Sequence, residues 1–176
     1  MPKKGRYLGI RINAVSMRED RSNPTGDAPD PATNPLRGAA LAAGLLETSF
    51  AQGPGSPLRL DVLRTLARDL RVELEALAEL ADRETAVVEG ALRAADVANL
   101  AASALPELPE SRASEVAASA HLAAGAARAL HALAEANATR RAGDRERSTL
   151  KDARGVAWRA RHATRQVDDF LLRNEG

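Results

Sequence analysis

The stretch LRVELEALAELADRETAVVEGALR, residues 70–93, decides how this chain folds. Leu70, Leu74, Leu77 and Ala81 recur at spacings of four, three and four, and Val88 and Leu92 resume the series seven residues on. Such spacing places side chains on one face of an α-helix. Upstream, Leu63 and Leu66 extend the same stripe. The spacing predicts a helix from Pro57 to about Leu105, broken if anywhere at Gly90 or Asn99, and about 70 Å long if unbroken. A small bundle rarely covers such a rod alone, so the length also predicts a dimer. Where the stripe should pass position 84 it meets a glutamate. At 3.6 residues per turn its centre falls between Glu84 and Thr85, so Thr85 can carry the stripe while Glu84 turns to the flank.

Composition agrees with helices throughout. The chain has 176 residues, 2% aromatics and no cysteine. So few aromatics argue against a sandwich or barrel. Abundant alanine favours helices and lets their axes approach closely. The lack of cysteine excludes a disulfide framework, a thiolate zinc site and a cysteine nucleophile. No apolar run is long enough to span a bilayer. The basic start has no apolar segment behind it, so no signal peptide is read and the cytoplasm is the default expectation.

Residues 1–34 read as a disordered or extended arm, because REDRSNPTGDAPDPATNP (residues 18–35) is rich in turn formers and has little to bury. The segment RYLGIRINAVSM, residues 6–17, forms a short strand or stays loose. Residues 35–176 read as an all-α, antiparallel bundle of four to five helices without an internal repeat. Asn34 and Pro35 suit an N-cap followed by N1, as do Ser56 and Pro57. LPELP, residues 105–109, ends the second helix. A third helix from Ser111 to Ala142 should bury Val116, Ala120, Ala123, Ala127, Leu130 and Ala134, with Gly143 as C-cap. A fourth, starting near Asp144 or Ser148, should bury Leu150, Ala153, Ala157, Ala160, Thr164, Val167 and Leu171.

Charge is uneven although the net is +1. Residues 60–115 carry twelve acids and six bases, a balance of −6, whereas residues 139–165 carry nine bases and three acids, a balance of +6. These balances point to one segment packing near the other, within the chain or across a dimer. Nucleic-acid binding through the basic last helix is the weaker reading, since its arginines are spread around the helix and Trp158 is its only interleaved aromatic of the basic segment.

Chemistry-bearing patterns are few. His121 and His131 stand ten apart and share no helical face, and no Glu-x-x-His motif occurs, so the histidines, His162 included, read as surface residues rather than metal ligands. No phosphate-binding glycine loop or nucleophile elbow is present. Glu84 is the one carboxylate set among apolar neighbours, with Leu80, Ala81, Val87 and Val88 around it. Half-buried, it would suit a general acid or base. As a boundary residue it would pair with an arginine of the last helix, and lone carboxylates beside an apolar stripe more often do the latter.

Three stretches, in order, resemble the cyclodeaminase/cyclohydrolase family, the all-helical folate enzymes related to the C-terminal domain of formiminotransferase-cyclodeaminase. PATNPLRGAALAAGLLETSFAQ (residues 31–52) stands where that family has a glycine-rich turn and an alanine-rich helix. Residues 70–93 are similar to its Leu-Arg-x-Glu-Leu helix and the Leu-Ala-Asp motif behind it. KDARGVAWRARHA (residues 151–163) is similar to its last helix. The resemblance implies a catalytic pair, Glu84 assisted by Asp82, that relays protons during addition of water to, or loss of ammonia from, a one-carbon folate. It implies ligand-binding roles for Gly38 and Asp152, no covalent cofactor, no metal, and a reduced folate as substrate. The alternative, from the residues alone, is a non-enzymatic helical module that binds a protein partner or a second copy of itself.

Overall fold

A computed structural model describes residues 30–51, 57–141 and 144–174, with side chains described over 30–51, 60–140 and 155–174. The expected arm up to residue 29, the Ser56 and Gly143 caps, and the side chains of Leu150, Asp152 and Ala153 lie outside the described residues. The described chain is all-α and forms an antiparallel bundle. Its helices are α1 (Thr33–Ala51), α2 (Pro57–Ala78), α3 (Glu84–Ala104), α4 (Glu110–Arg141) and α5 (Asp144–Asn174), with a 3-10 turn at Leu105–Glu107 before α4. Helices α1, α3 and α5 run one way and α2 and α4 the other. No helix among the described residues is long and apolar enough to cross a membrane.

Helix α1 begins slightly earlier than its sequence signals suggest. Asp30 sets the entry, because its carboxylate accepts a hydrogen bond from the Ala32 amide at 2.9 Å and its carbonyl accepts one from Thr33 at 2.8 Å. Pro35 still falls in the first turn, where amides lack intrahelical partners.

The expected long second helix is two helices. The break lies at Glu79–Arg83, not at Gly90 or Asn99, which both sit inside α3. Two tight turns make it, Leu80 donating to the Leu77 carbonyl at 3.0 Å and Arg83 to that of Leu80 at 2.9 Å. Arg83 is extended (φ −91°, ψ 130°) and gives α3 no side-chain cap. Burial is what holds the chain in this bend. Folding back lets Leu74 and Ala78 before the turn, Ala81 within it, and Val87, Ala91 and Ala94 after it enter the same core. At 22 and 21 residues, the two pieces are each only about 30 Å long. The length that motivated a dimer therefore disappears.

Helix α4 packs against α1, α3 and α5. Its expected face, Val116, Ala120, Ala123, Ala127, Leu130 and Ala134, is fully or almost fully buried. Ala113, Ala117, Ala124 and Ala126 are buried beside it, so α4 presents small residues to several neighbours. On α2 the buried set is Leu60, Ala67, Leu74 and Ala78, while Leu66 is 47% exposed. On α5 it is Val156, Ala160, Ala163 and Val167, so Ala160 and Val167 of the expected stripe are buried, while Ala157 and Thr164 are half-buried and Val156 and Ala163 take their places. On α5 burial centres on small or β-branched side chains that let the axes come close, whereas α2 buries Leu60 and Leu74 beside Ala67 and Ala78.

The tightest approach is at Gly90. A Cβ there would overlap the Leu36 side chain of α1 and would meet Leu130 of α4 at 3.5 Å. Ser119 of α4, fully buried, donates to the Ala42 carbonyl of α1 at 2.7 Å and fixes the same helix pair further along. Around this core lie ion pairs. Arg71 binds Glu75 at 2.9 Å and Glu47 of α1 at 3.1 Å, and these carboxylates, Glu75 above all, raise its pKa further. Arg112 beside Glu115 lowers that carboxyl's pKa, and Ser49 of α1 adds a hydrogen bond at 3.3 Å.

Replacing Gly90 with valine should lower the unfolding free energy by about 1–3 kcal/mol, the usual cost of overpacking a filled core. Gly125 is the internal control, since a Cβ there meets nothing within 4 Å. Gly125→Ala should stabilise by about 0.5–1 kcal/mol through helix propensity. Urea denaturation of both variants checks the pair, and equal effects at the two positions would contradict the packing described here.

Candidate functional site

The turn between α2 and α3 brings the two candidate carboxylates together. Asp82 lies in the turn and Glu84 is the first residue of α3. Both line a cleft of about 290 Å³, together with Asp30 at the entry to α1 and Asn137 and Arg140 near the end of α4. Ala81, Val87 and Leu133 supply its apolar wall. Asp82 is exposed and Glu84 is half-buried. Position 84 thus opens a new helix, and the leucine stripe never runs through it. A carboxylate in the first helical turn faces the amides that have no intrahelical partner, which is favourable.

Arg140 is held along its own helix. Its Nη2 donates to Asn137 Oδ1 at 2.6 Å and its Nε to the Ala136 carbonyl at 3.2 Å. The cleft therefore collects three carboxylates, an amide and a guanidinium at one end of the bundle. Such a set can hold a small cationic or mixed-charge group and exchange protons with it. Among the described residues no group of histidine, aspartate and glutamate has the arrangement of a metal site.

The other candidates lie elsewhere. Gly38 does not line the cleft. It is half-buried on α1, and a Cβ there would make only ordinary contact with Leu122 of α4 at 3.9 Å, so no close backbone approach requires glycine. Asp152 falls in α5, with its side chain outside the described residues. His121 lies 3.1 Å from Asp168 of α5, and His162 stacks on Trp158 with ring centroids 5.2 Å apart. His131 departs from the surface reading, because its side chain is only 12% exposed, 3.5 Å from Glu135. Of the basic segment, Arg159 of α5 binds Asp96 of α3 within the chain at 3.3 Å.

Sequence reasoning missed Asp30, Asn137 and Arg140. They are separated from Glu84 by about fifty residues on either side, and no local spacing links them to it. Fold and cleft together define a small all-α bundle with a polar cleft at one end. Set against family models, curated proteins and solved structures, the chain matches none.

Glu84→Gln should lower stability by about 0.3–1 kcal/mol, the size of a first-turn charge interaction, and added salt should shrink the loss. Chemical denaturation at low and high ionic strength measures it. A gain in stability at both would show that the carboxylate is held at a cost and would mark it as functional.

Proposed function

We propose that the chain is a helical interaction module that binds a protein partner, or a second copy of itself, through the face shared by α1 and α4. The observation that carries this is the outward stripe of α1. Leu41 is 60% exposed, and Leu45 one turn later is 39% exposed. Leu122 of α4, also 39% exposed, lies against Gly38 one turn before Leu41. Isolated apolar residues are ordinary on a surface. Three leucines along one helix seam form an apolar patch of the kind that marks contact sites.

Leu41→Lys combined with Leu45→Lys tests this. Both side chains point outward, so the thermal midpoint should hold while association is lost. Sedimentation across the micromolar range reads the second-copy form, and affinity capture with the parent chain and the variant reads a foreign partner. Association that survives the double change would overturn the assignment of this face.

A second reading rests on Asp82 and Glu84 sharing one cleft with Arg140. Paired carboxylates beside a guanidinium suit proton relay on a one-carbon folate, as the family resemblance implies. Against it stands size. About 290 Å³ is at the lower edge of small-molecule sites, which run from roughly 300 to 1,000 Å³. A thermal-shift screen of reduced folates against the parent chain and Glu84→Gln should give no shift in either. A shift in the parent that vanishes in the variant would move the assignment to the folate enzyme.

A further inference from the structure

A second and larger opening, about 470 Å³, runs between α2 and α3. Leu66, Leu70 and Leu100 give it an apolar lining, and Asp69, Glu73 and Asp96 give it acidic edges. Arg93 is its one cation, bound to Glu73 at 2.6 Å, Glu89 at 3.4 Å and Asp96 at 3.7 Å. Arg159 of α5 reaches Asp96 from the far side, and among the described residues α2 and α5 do not touch. No salt bridge among the described residues involves Asp69. The groove thus combines an apolar lining with carboxylates, and no described helix covers it.

The chain carries a segment with the opposite character. Residues 3–18 contain Lys3, Lys4, Arg6, Arg11 and Arg18 and no acid. Leu8, Ile10 and Ile12 alternate with other residues, so an extended backbone would put all three on one side. This sets them apart from the proline- and aspartate-rich residues that follow.

Geometry permits the two to meet. Asp30 shares the end cleft with Asp82, so the chain enters the described structure beside the α2–α3 turn, and the nearest groove residue on α2, Glu73, lies five residues back from the end of that helix. From Asp82 to Asp69 along α2 is about 20 Å at 1.5 Å per residue. The residues from Arg18 to Asp30 can span up to about 40 Å when extended.

We propose that residues 3–18 of this chain seat in the α2–α3 groove of the same molecule, the aliphatic side against Leu66, Leu70 and Leu100 and the bases toward the acidic edges. Because the segment enters from the turn, its lysines lie toward the far part of the groove, on the side of Asp69. This occupancy does not depend on the proposed function, since it concerns a different face.

Carbodiimide cross-linking of the full chain, followed by peptide mass spectrometry, tests it. A mixture of isotopically heavy and light chains separates links within a molecule from links between molecules. The expected result is an intramolecular amide from Lys3 or Lys4 to Asp69, the groove carboxylate of α2 without a salt bridge among the described residues. Its yield should drop about tenfold in Ile10→Asp/Ile12→Asp, which removes the apolar contact and leaves the lysines in place. Mixed heavy–light links would assign the groove to a second copy and overturn the proposal. So would an absence of links to α2, links spread evenly over the exposed carboxylates of the bundle, or a yield unchanged in the double variant.

Discussion

Close approach of α1, α3 and α4 at Gly90 is the constraint on which the rest of the bundle depends. Leu36 occupies the space a side chain at 90 would fill, and Leu130 closes the third side. Around that point the interior is built largely from alanine, with only a few leucines and valines fully buried. Alanine loses no side-chain entropy on burial and brings backbones near one another. It also buries little area per residue, so the stabilisation comes from many tight contacts more than from a few large ones. An interior reserved for small side chains has no room for every leucine the helices carry. That is why Leu41, Leu45 and Leu66 are left on the outside.

The ion pairs follow the same geometry. Small residues make a thin, smooth seam with little interlocking, and long arginines reach across it from the rim. Arg71 joins α2 to α1, Arg93 joins α3 to α2, and Arg159 joins α5 to α3. Each is partly exposed and individually worth little. Together they set register between helices whose alanine faces would tolerate sliding. They also decide where the surface stays open. Arg93 spans the α2–α3 groove without filling it, and the cleft at the turn remains polar because three chain segments end or bend there and bring carboxylates, an amide and a guanidinium with them.

How far the sequence alone could be read differs from element to element. The α4 face was legible because a strict helical spacing of apolar residues has a single solution when the whole stripe is buried. Pro57 as a helix start was legible because proline suits the first turn and little else in a helix. The α2–α3 turn was not legible. Nothing in Glu79–Arg83 is a proline or a glycine, and Arg83 supplies no capping hydrogen bond. Every residue there is compatible with a continuing helix, so local propensity could not place the break. The departures on α2 and α5 were hidden for a related reason: leucines dominate the pattern on α2, where the packing took Ala67 over Leu66, and on α5 Val156 and Ala163 are buried in place of Ala157 and Thr164, one position on.

By itself, then, the sequence determined the class and the helical content. Alanine abundance, helical periodicity and scarce aromatics leave no other way to bury the apolar residues and satisfy the backbone. It also determined that Asp82 and Glu84 would lie near each other, since only Arg83 separates them. Only the tertiary structure decided where the long helical pattern folds back. That fold-back turned Glu84 from a flank residue of one helix into the first residue of another, and it gathered Asp30, Asn137 and Arg140 around it. The reason is physical. A helix break without a strong local signal is selected by the core area it buries on both sides, and that area exists only once α1 and α4 are in place to receive it.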